Sequence, residues 1–177
     1  RSTAGGAGAD NTAALAFGGN EPNLDNTETW NGTNWTEVND LNTARRQLGG
    51  AGTNTSALAI GGGTPPSTEL GIVESWNGTN WTEVGDLNQV RDYLGTSGTD
   101  NTSALAFGGN APPATAVTEA WNGSAWYEVN DLNTARSRVS GDTGTATSAL
   151  MFGGNAAPRQ QTESWNGSNW TEVNDLN

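Results

Sequence analysis

The chain has 177 residues, with nineteen Asp or Glu, seven Arg and no Lys, which gives a formal net charge of −12. A surface this acidic repels nucleic acid and anionic lipid, and no apolar run is long enough to span a membrane, so we expect neither as a partner. The chain has no Cys and no His, which excludes thiolate nucleophiles, imidazole bases and zinc or haem sites built on these residues, and we expect no cofactor.

The sequence consists of four copies of one unit. A Trp-Asn-Gly-x-x-Trp motif begins at Trp30, Trp76, Trp121 and Trp165, with periods of 46, 45 and 44 residues. A self-similar period of this length is the signature of a repeat architecture. Each unit also has an Arg within its first three residues and carries an apolar segment that ends in Gly-Gly. The predicted units cover residues 1–42, 43–88, 89–133 and 134–177.

The second unit predicts four β-strands in chain order. The first strand covers residues 48–53, which are mostly small, and the second covers residues 56–60, where large and small side chains alternate. The third and fourth strands cover residues 73–76 and 81–87. They flank Asn77-Gly78, which is a strong hairpin signal. No segment shows a helical apolar period, and Gly, Asn and Thr are poor helix formers. In the second strand, large and small side chains point to opposite faces, so one sheet can pack its large face on the small face of the next. Four short antiparallel strands in about 45 residues are typical of one β-propeller blade.

The units resemble kelch repeats. The kelch pattern has an Arg before the innermost strand, Gly-Gly at the end of the second, an aromatic residue near the end of the third and a Trp at the start of the fourth, and all four units match it. One departure is Trp-Asn-Gly after the third strand in place of the usual Tyr-Asp-Pro. The resemblance implies an all-β fold. It predicts a single propeller domain over residues 1–177, built from four blades of four antiparallel strands each.

The ends of such a row of blades need partners. Each unit starts with its inner strand and finishes with its outer strand, so a ring would close by side-chain packing alone. The Gly-rich inner strands allow a tight ring, and we expect the four blades to close within one chain. The alternatives are an eight-bladed ring made by a head-to-tail dimer and a part of a larger propeller.

The repeat sequence, which reads WNGTNWTEVNDLNTAR from residue 30, resembles repeats in virion and tail proteins of tailed phages, especially marine ones. This resemblance implies a non-enzymatic structural or binding module located on a virion or outside the cell. Its partner would be a host surface glycan or protein, or another virion protein. The alternative is a general protein-interaction scaffold, as in cellular kelch adaptors. A kelch enzyme of the galactose oxidase kind needs His among its copper ligands, which this chain lacks.

Three recurring features are candidates for a site. The Trp pairs could stack on a ligand, but their recurrence favours packing between blades. The carboxylates recur in every unit, whereas catalytic sites are usually singular, so we expect no catalytic residues. The sequence has no Asp-x-Asp-x-Asp loop of the kind that binds calcium, and we expect no metal site. The Arg column could ring the channel mouth and clamp an anion, or it could form structural ion pairs with the repeated Asp and Glu. The column consists of Arg1, Arg45, Arg91 and Arg136.

The segments between the second and third strands differ in every unit, at residues 20–26, 63–72, 110–117 and 155–161. Variable loops on a repetitive scaffold are the usual place for binding specificity, although drift at unconstrained loops gives the same pattern. The residues predicted to contact a ligand there are Asn23, Glu69, Pro113 and Arg159.

Overall fold

The computed structural model describes residues 2–20, 25–139 and 144–177, and all regular structure in these segments is β-strand. The strands form four antiparallel four-stranded sheets and one two-stranded sheet. Each of the four larger sheets belongs to one sequence unit, so the prediction of an all-β chain with one four-stranded sheet per repeat is confirmed.

The four large sheets follow one pattern, in which strands pair in chain order from the inner to the outer strand. The first sheet contains β1 (Gly5–Asp10), β2 (Ala13–Phe17), β3 (Thr27–Trp30) and β4 (Trp35–Val38), and the second contains β5 (Gly49–Gly52), β6 (Ala57–Ile60), β9 (Val73–Trp76) and β10 (Trp81–Glu83). The third contains β11 (Gly95–Asp100), β12 (Ser103–Phe107), β13 (Thr118–Trp121) and β14 (Trp126–Val129), and the fourth contains β15 (Gly144–Thr145), β16 (Ser148–Phe152), β17 (Thr162–Trp165) and β18 (Trp170–Val173).

The Asn-Gly turn sets the register of the outer hairpin. In the second sheet the Asn77 side-chain oxygen accepts hydrogen bonds from the backbone N–H groups of Thr79 and Asn80, both at 2.9 Å. Gly78 has a φ of 92°, which a residue with a Cβ rarely adopts. The turn places Trp76 directly opposite Trp81, with ring centroids 5.2 Å apart. The two Trp of each motif are therefore a cross-strand pair.

Three apolar cores lie between successive sheets: first and second, second and third, third and fourth. In the first of these, Leu15 and Phe17 of the first sheet pack against Ala57, Ala59 and the Trp pair of the second. The large side chains of one second strand thus meet the small side chains of the next second strand, as predicted, and the Trp pair packs in the same core. We call the two sides the leucine face and the tryptophan face of a sheet.

No such core joins the fourth sheet to the first among the described residues. The tryptophan face of the first sheet leaves Trp35 48% exposed, and the leucine face of the fourth leaves Leu176 51% exposed. The ring of four blades within one chain is therefore not shown, and it stays a prediction.

Two details differ from the sequence-based expectation. The variable loop at 63–72 contains its own small hairpin, β7 (Gly63–Thr64) with β8 (Thr68–Glu69). The last strand of the second sheet ends at Glu83, although a strand to residue 87 was predicted. The Val84 N–H still bonds to the carbonyl of Val73 at 3.0 Å, and the Leu87 N–H then bonds to the carbonyl of Gly71 at 2.9 Å, outside the strand ladder.

Candidate ligand-binding face

The Arg column predicted to bind a ligand is buried. Arg45 is 0% exposed, and its guanidinium donates to the carboxylate of Glu74 and to the backbone carbonyls of Ala59 (3.1 Å) and Gly61 (3.0 Å). Burial lowers the pKa of Arg45, and the hydrogen bond and charge of Glu74 oppose that shift. The side chain connects the loop before the inner strand to the second and third strands of its own sheet.

The next two members of the column are also buried and bonded within their own sheets, but only Arg91 has a carboxylate partner among the described residues. Arg91 donates to Glu119 at 2.8 Å and to the carbonyl of Ala106 at 3.2 Å. Arg136 donates to the carbonyl of Gly153 at 2.7 Å and to the side chain of Gln161. Because these guanidinium groups are fully buried, the contacts support the structural interpretation over anion binding for Arg45, Arg91 and Arg136. Arg1 lies outside the described residues.

The first Trp of each motif is fixed by its indole N–H. Trp76 donates to the carbonyl of Asn54 at 3.0 Å, and Trp121 donates to the carbonyl of Asn101 at the same distance. Both acceptors lie in the turn between the two inner strands of the same sheet. Trp30 and Trp165 make the equivalent bonds to Asn11 and Ala146. This pattern supports a packing role for the Trp pairs.

All four variable loops begin on one side of the inner strands. The first residue of each loop donates its backbone N–H to the residue that follows the column Arg, as in Gly63 to Arg46 (2.8 Å) and Asn110 to Asp92 (2.7 Å). The other two such bonds join Asn20 to Ser2 and Asn155 to Ser137. The sheets therefore present the loops together, on what we call the loop face.

The loop residues predicted from the sequence have different surroundings. Glu69 is half-buried and accepts a long hydrogen bond of 3.4 Å from the Asn110 side chain. Pro113 and Arg159 are exposed. Asn23 lies outside the described residues.

A column of left-handed residues next to the loops was missed in the sequence. The second residue after each column Arg has a positive φ, between 50° and 59°, although none is Gly. Their backbones form a chain of hydrogen bonds from one unit to the next, with N–H to carbonyl distances of 2.8, 2.9 and 2.9 Å. The left-handed column consists of Thr3, Gln47, Tyr93 and Arg138.

Side chains of the left-handed column contact one another. The Gln47 amide donates to the Tyr93 hydroxyl at 2.6 Å, and the Arg138 guanidinium carbon lies 4.7 Å from the centre of the Tyr93 ring. These residues and Thr3 line a cavity of about 220 Å³ at the start of the inner strands. One sequence signal could have revealed the left-handed column: the second position after the column Arg is occupied by Thr, Gln, Tyr and Arg in the four units, inside an otherwise repetitive segment.

The loop face carries both signs of charge. Asp92 precedes Tyr93 and accepts a hydrogen bond from the Asn110 side chain at 3.1 Å. Burial raises the pKa of Asp92, the Asn110 bond opposes this, and the charge of Glu69 adds to it. Arg46 donates to the side chain of Asn20 at 3.1 Å and to the carbonyl of Pro66 at 3.1 Å. A polar ligand on this face would find donors, acceptors and one aromatic ring.

Within the described segments, no group of three or more His, Cys, Asp or Glu is arranged to hold a metal ion. The same segments contain no helix of the length and apolarity needed to cross a membrane. No protein-family model matches the chain, and no curated protein matches its sequence.

Proposed function

We propose that the four sheets are blades of a kelch-like propeller and that the chain is a non-enzymatic binding module that uses its loop face. The repeated order of Arg, Gly-Gly and paired Trp supports the blades, together with the three cores between successive sheets. The position of the four variable loops on one side supports the choice of face.

The left-handed column is the observation that carries the binding proposal. Holding a residue other than Gly at positive φ costs on the order of 1–3 kcal/mol, and such residues cluster at ligand sites. Here backbone bonds between units accompany that conformation, yet the side chains differ in every unit. The cluster of Gln47, Tyr93 and Arg138 is the part of the column in which aromatic, cationic and amide groups meet.

The chemistry of this cluster fits a polar, sugar-like or acidic group. An aromatic ring with a polar handle packs on the apolar side of a sugar, and a guanidinium binds a carboxylate through paired hydrogen bonds. We propose a host surface glycan or protein as the ligand, with the chain on a phage particle. The resemblance of the repeats to those of phage virion and tail proteins supports this setting.

The proposal is tested by replacing Tyr93 and Arg138 with Ala and measuring binding to a glycan array and to candidate host cells. We expect a loss of at least about tenfold in affinity, since a buried aromatic or Arg contact contributes on the order of 1.4 kcal/mol or more. The matched control is Tyr127→Ala. Tyr127 is 49% exposed on the outer strand of the third sheet.

Binding that is unchanged in Tyr93→Ala and Arg138→Ala would refute the assignment of this face. An equal loss in Tyr127→Ala would do the same. Replacing residues 63–72 with residues 155–161 tests the loops separately, because the loop hairpin β7–β8 is then removed while the sheet remains. We expect weaker binding and an unchanged oligomeric state.

A further inference from the structure

Two apolar columns of the repeat have three buried members and one exposed member. The Leu near the end of the unit is 4–5% exposed at Leu41, Leu87 and Leu132, but 51% exposed at Leu176. The second Trp is 5–6% exposed in the second, third and fourth sheets, whereas Trp35 is 48% exposed. The exposed members belong to opposite ends of the row of sheets, one on the leucine face and one on the tryptophan face.

Other large side chains on the leucine face of the fourth sheet share this exposure. Leu150 is 42% exposed and Val173 is 41% exposed, while Leu58 and Leu105, the equivalents of Leu150, are 0% exposed. Several large apolar side chains exposed on one face mark that face as a candidate interaction site.

The three internal interfaces define what each exposed face accepts. The Trp81 indole N–H donates to the Thr27 hydroxyl of the preceding sheet at 3.0 Å, and Trp170 donates to Thr118 in the same way. The fourth sheet has Thr162 at the equivalent position, and the first sheet has Trp35. A tryptophan face therefore packs on a leucine face, and neither face is complementary to itself.

A second contact repeats at the rim of two of these interfaces, the first and the third. The Asn39 side-chain amide reaches the turn of the next sheet, where it donates to the carbonyl of Thr79 (3.0 Å) and to the Asn80 side chain (2.8 Å). Asn130 makes the same pair of bonds to Ser168 and Asn169. By the repeat, Asn174 of the fourth sheet corresponds to Asn39, and Asn34 of the first sheet corresponds to Asn80.

We infer that the leucine face of the fourth sheet binds the tryptophan face of the first sheet of a second copy of this chain, head to tail, with the geometry of the internal interfaces. The occupant is a second copy because the two faces fit each other and both are exposed within one chain. A head-to-tail contact of this type closes into a ring when the rotations allow it, and two copies would give eight blades. The inference is independent of the ligand proposed for the loop face.

Cysteine cross-linking tests the inference directly, since the chain has no Cys. One variant carries Asn34→Cys and another carries Asn174→Cys, and the two are mixed and oxidised. We expect a covalent dimer, because at the equivalent internal contact the Asn39 side-chain nitrogen lies 2.8 Å from the Asn80 side-chain oxygen. The Asn39→Cys, Asn80→Cys double variant is the positive control and should form its disulfide within one chain. Each single variant oxidised alone is the negative control.

Two cross-linking results would overturn the inference. One is the absence of the mixed dimer while the Asn39–Asn80 control forms its disulfide. The other is a disulfide within one chain in the Asn34→Cys, Asn174→Cys double variant, which would show that the chain closes on itself.

Light scattering provides the second test. We expect the chain to have a mass of at least twice 18.3 kDa, and each of Trp35→Arg and Leu176→Asp to reduce it to that of one chain. A mixture of the two variants should form a heterodimer, because each still offers one intact face. Tyr127→Arg is the control and should leave the mass unchanged. A monomeric parent chain, or a Trp35→Arg variant that assembles like the parent, would refute the head-to-tail contact.

Discussion

The first and second sheets have nearly the same sequence but different surroundings. Trp81 of the second sheet is covered by Phe17, with ring centroids 4.9 Å apart, whereas Trp35 at the same position of the first sheet is half exposed. The sequence of a repeat therefore does not decide whether its Trp is buried; the neighbouring sheet does. In repeat proteins, stability is approximately a sum of terms for single repeats and terms for their interfaces, and here the large apolar residues belong to the interface terms.

The largest expected effect comes from removing one Trp at each of these two positions. Trp81→Ala should lower the free energy of unfolding by about 3–5 kcal/mol, because it leaves a cavity in the core between the first two sheets. Trp35→Ala should cost about half as much, about 2 kcal/mol, since half of the side chain is already in water. Chemical denaturation of both variants measures the difference.

That comparison is made at a dilution at which the parent chain is monomeric, so that a second copy does not cover Trp35. Equal losses in the two variants would mean that the Trp contributes within its own hairpin and not across the interface. A Trp81→Ala variant that melts like the parent but loses a ligand would make the Trp column a binding site.

The second and fourth sheets differ in the partner of the column Arg, and we expect a smaller effect on stability from this difference than from Trp81→Ala. Arg45 donates to Glu74, and both side chains are fully buried. In the fourth sheet Arg136 instead donates to Gln161, and Glu163 accepts hydrogen bonds from Asn133. Glu74→Gln should therefore cost about 3 kcal/mol, because it leaves a buried guanidinium without its counter-charge. Glu163→Gln should cost about 1 kcal/mol, the value of a weakened hydrogen bond.

Thermal unfolding of the two Gln variants checks this order. A Glu163→Gln variant that is destabilised as much as Glu74→Gln would mean that charge at this position acts through the Asn133 backbone and not through the Arg. The backbone carbonyl partners of Arg45 are unchanged in both variants, so they do not contribute to the difference.

Local signals in the sequence were enough to predict the sheets. The Asn-Gly turn fixes the outer hairpin, and alternation in residues 56–60 fixes the large and small faces, so four strands per unit and their stacking followed directly. The burial of Arg45 could not be predicted, because an Arg before an inner strand is compatible with both a channel mouth and an ion pair. The loop hairpin β7–β8 is two residues per strand and has no alternation to detect.

Variability at the column position could have marked it in the sequence, but its left-handed backbone could not be predicted, because the hydrogen bonds that accompany it join different units. Nothing in Gln47 or Tyr93 favours positive φ, and the backbone bond that accompanies the conformation runs from the Tyr93 N–H to the Gln47 carbonyl of the neighbouring unit. Contact between the fourth and first sheets could not be predicted for the same reason, because it too depends on how different units meet. Whether Trp35 meets a Thr162 hydroxyl depends on how successive sheets are oriented relative to one another, which the sequence of a single repeat does not determine.

The smallest expected effect sharpens the contrast between the three internal interfaces. In two of them a Trp indole donates to a Thr hydroxyl, Trp81 to Thr27 and Trp170 to Thr118. In the middle interface the equivalent of that Thr is Val73, and the buried Trp126 N–H has no hydrogen-bond partner in the described part of the chain. A buried donor without a partner costs about 1–3 kcal/mol, so the middle interface is less favourable than its apolar packing suggests.

Val73→Thr should supply the missing acceptor, because the Trp N–H lies 3.0 Å from the Thr oxygen in both equivalent interfaces. The new hydroxyl loses hydration and replaces a methyl group, so we expect a net gain of at most about 1 kcal/mol. Thr118→Val is the reciprocal change: it leaves the Trp170 N–H without its partner and should cost about 1–2 kcal/mol. Denaturant midpoints of the two variants and the parent measure both effects under one condition. If Val73→Thr destabilises the chain as much as Thr118→Val does, the hydroxyl does not reach Trp126, and the middle interface differs from the other two in geometry and not only in the identity of one side chain.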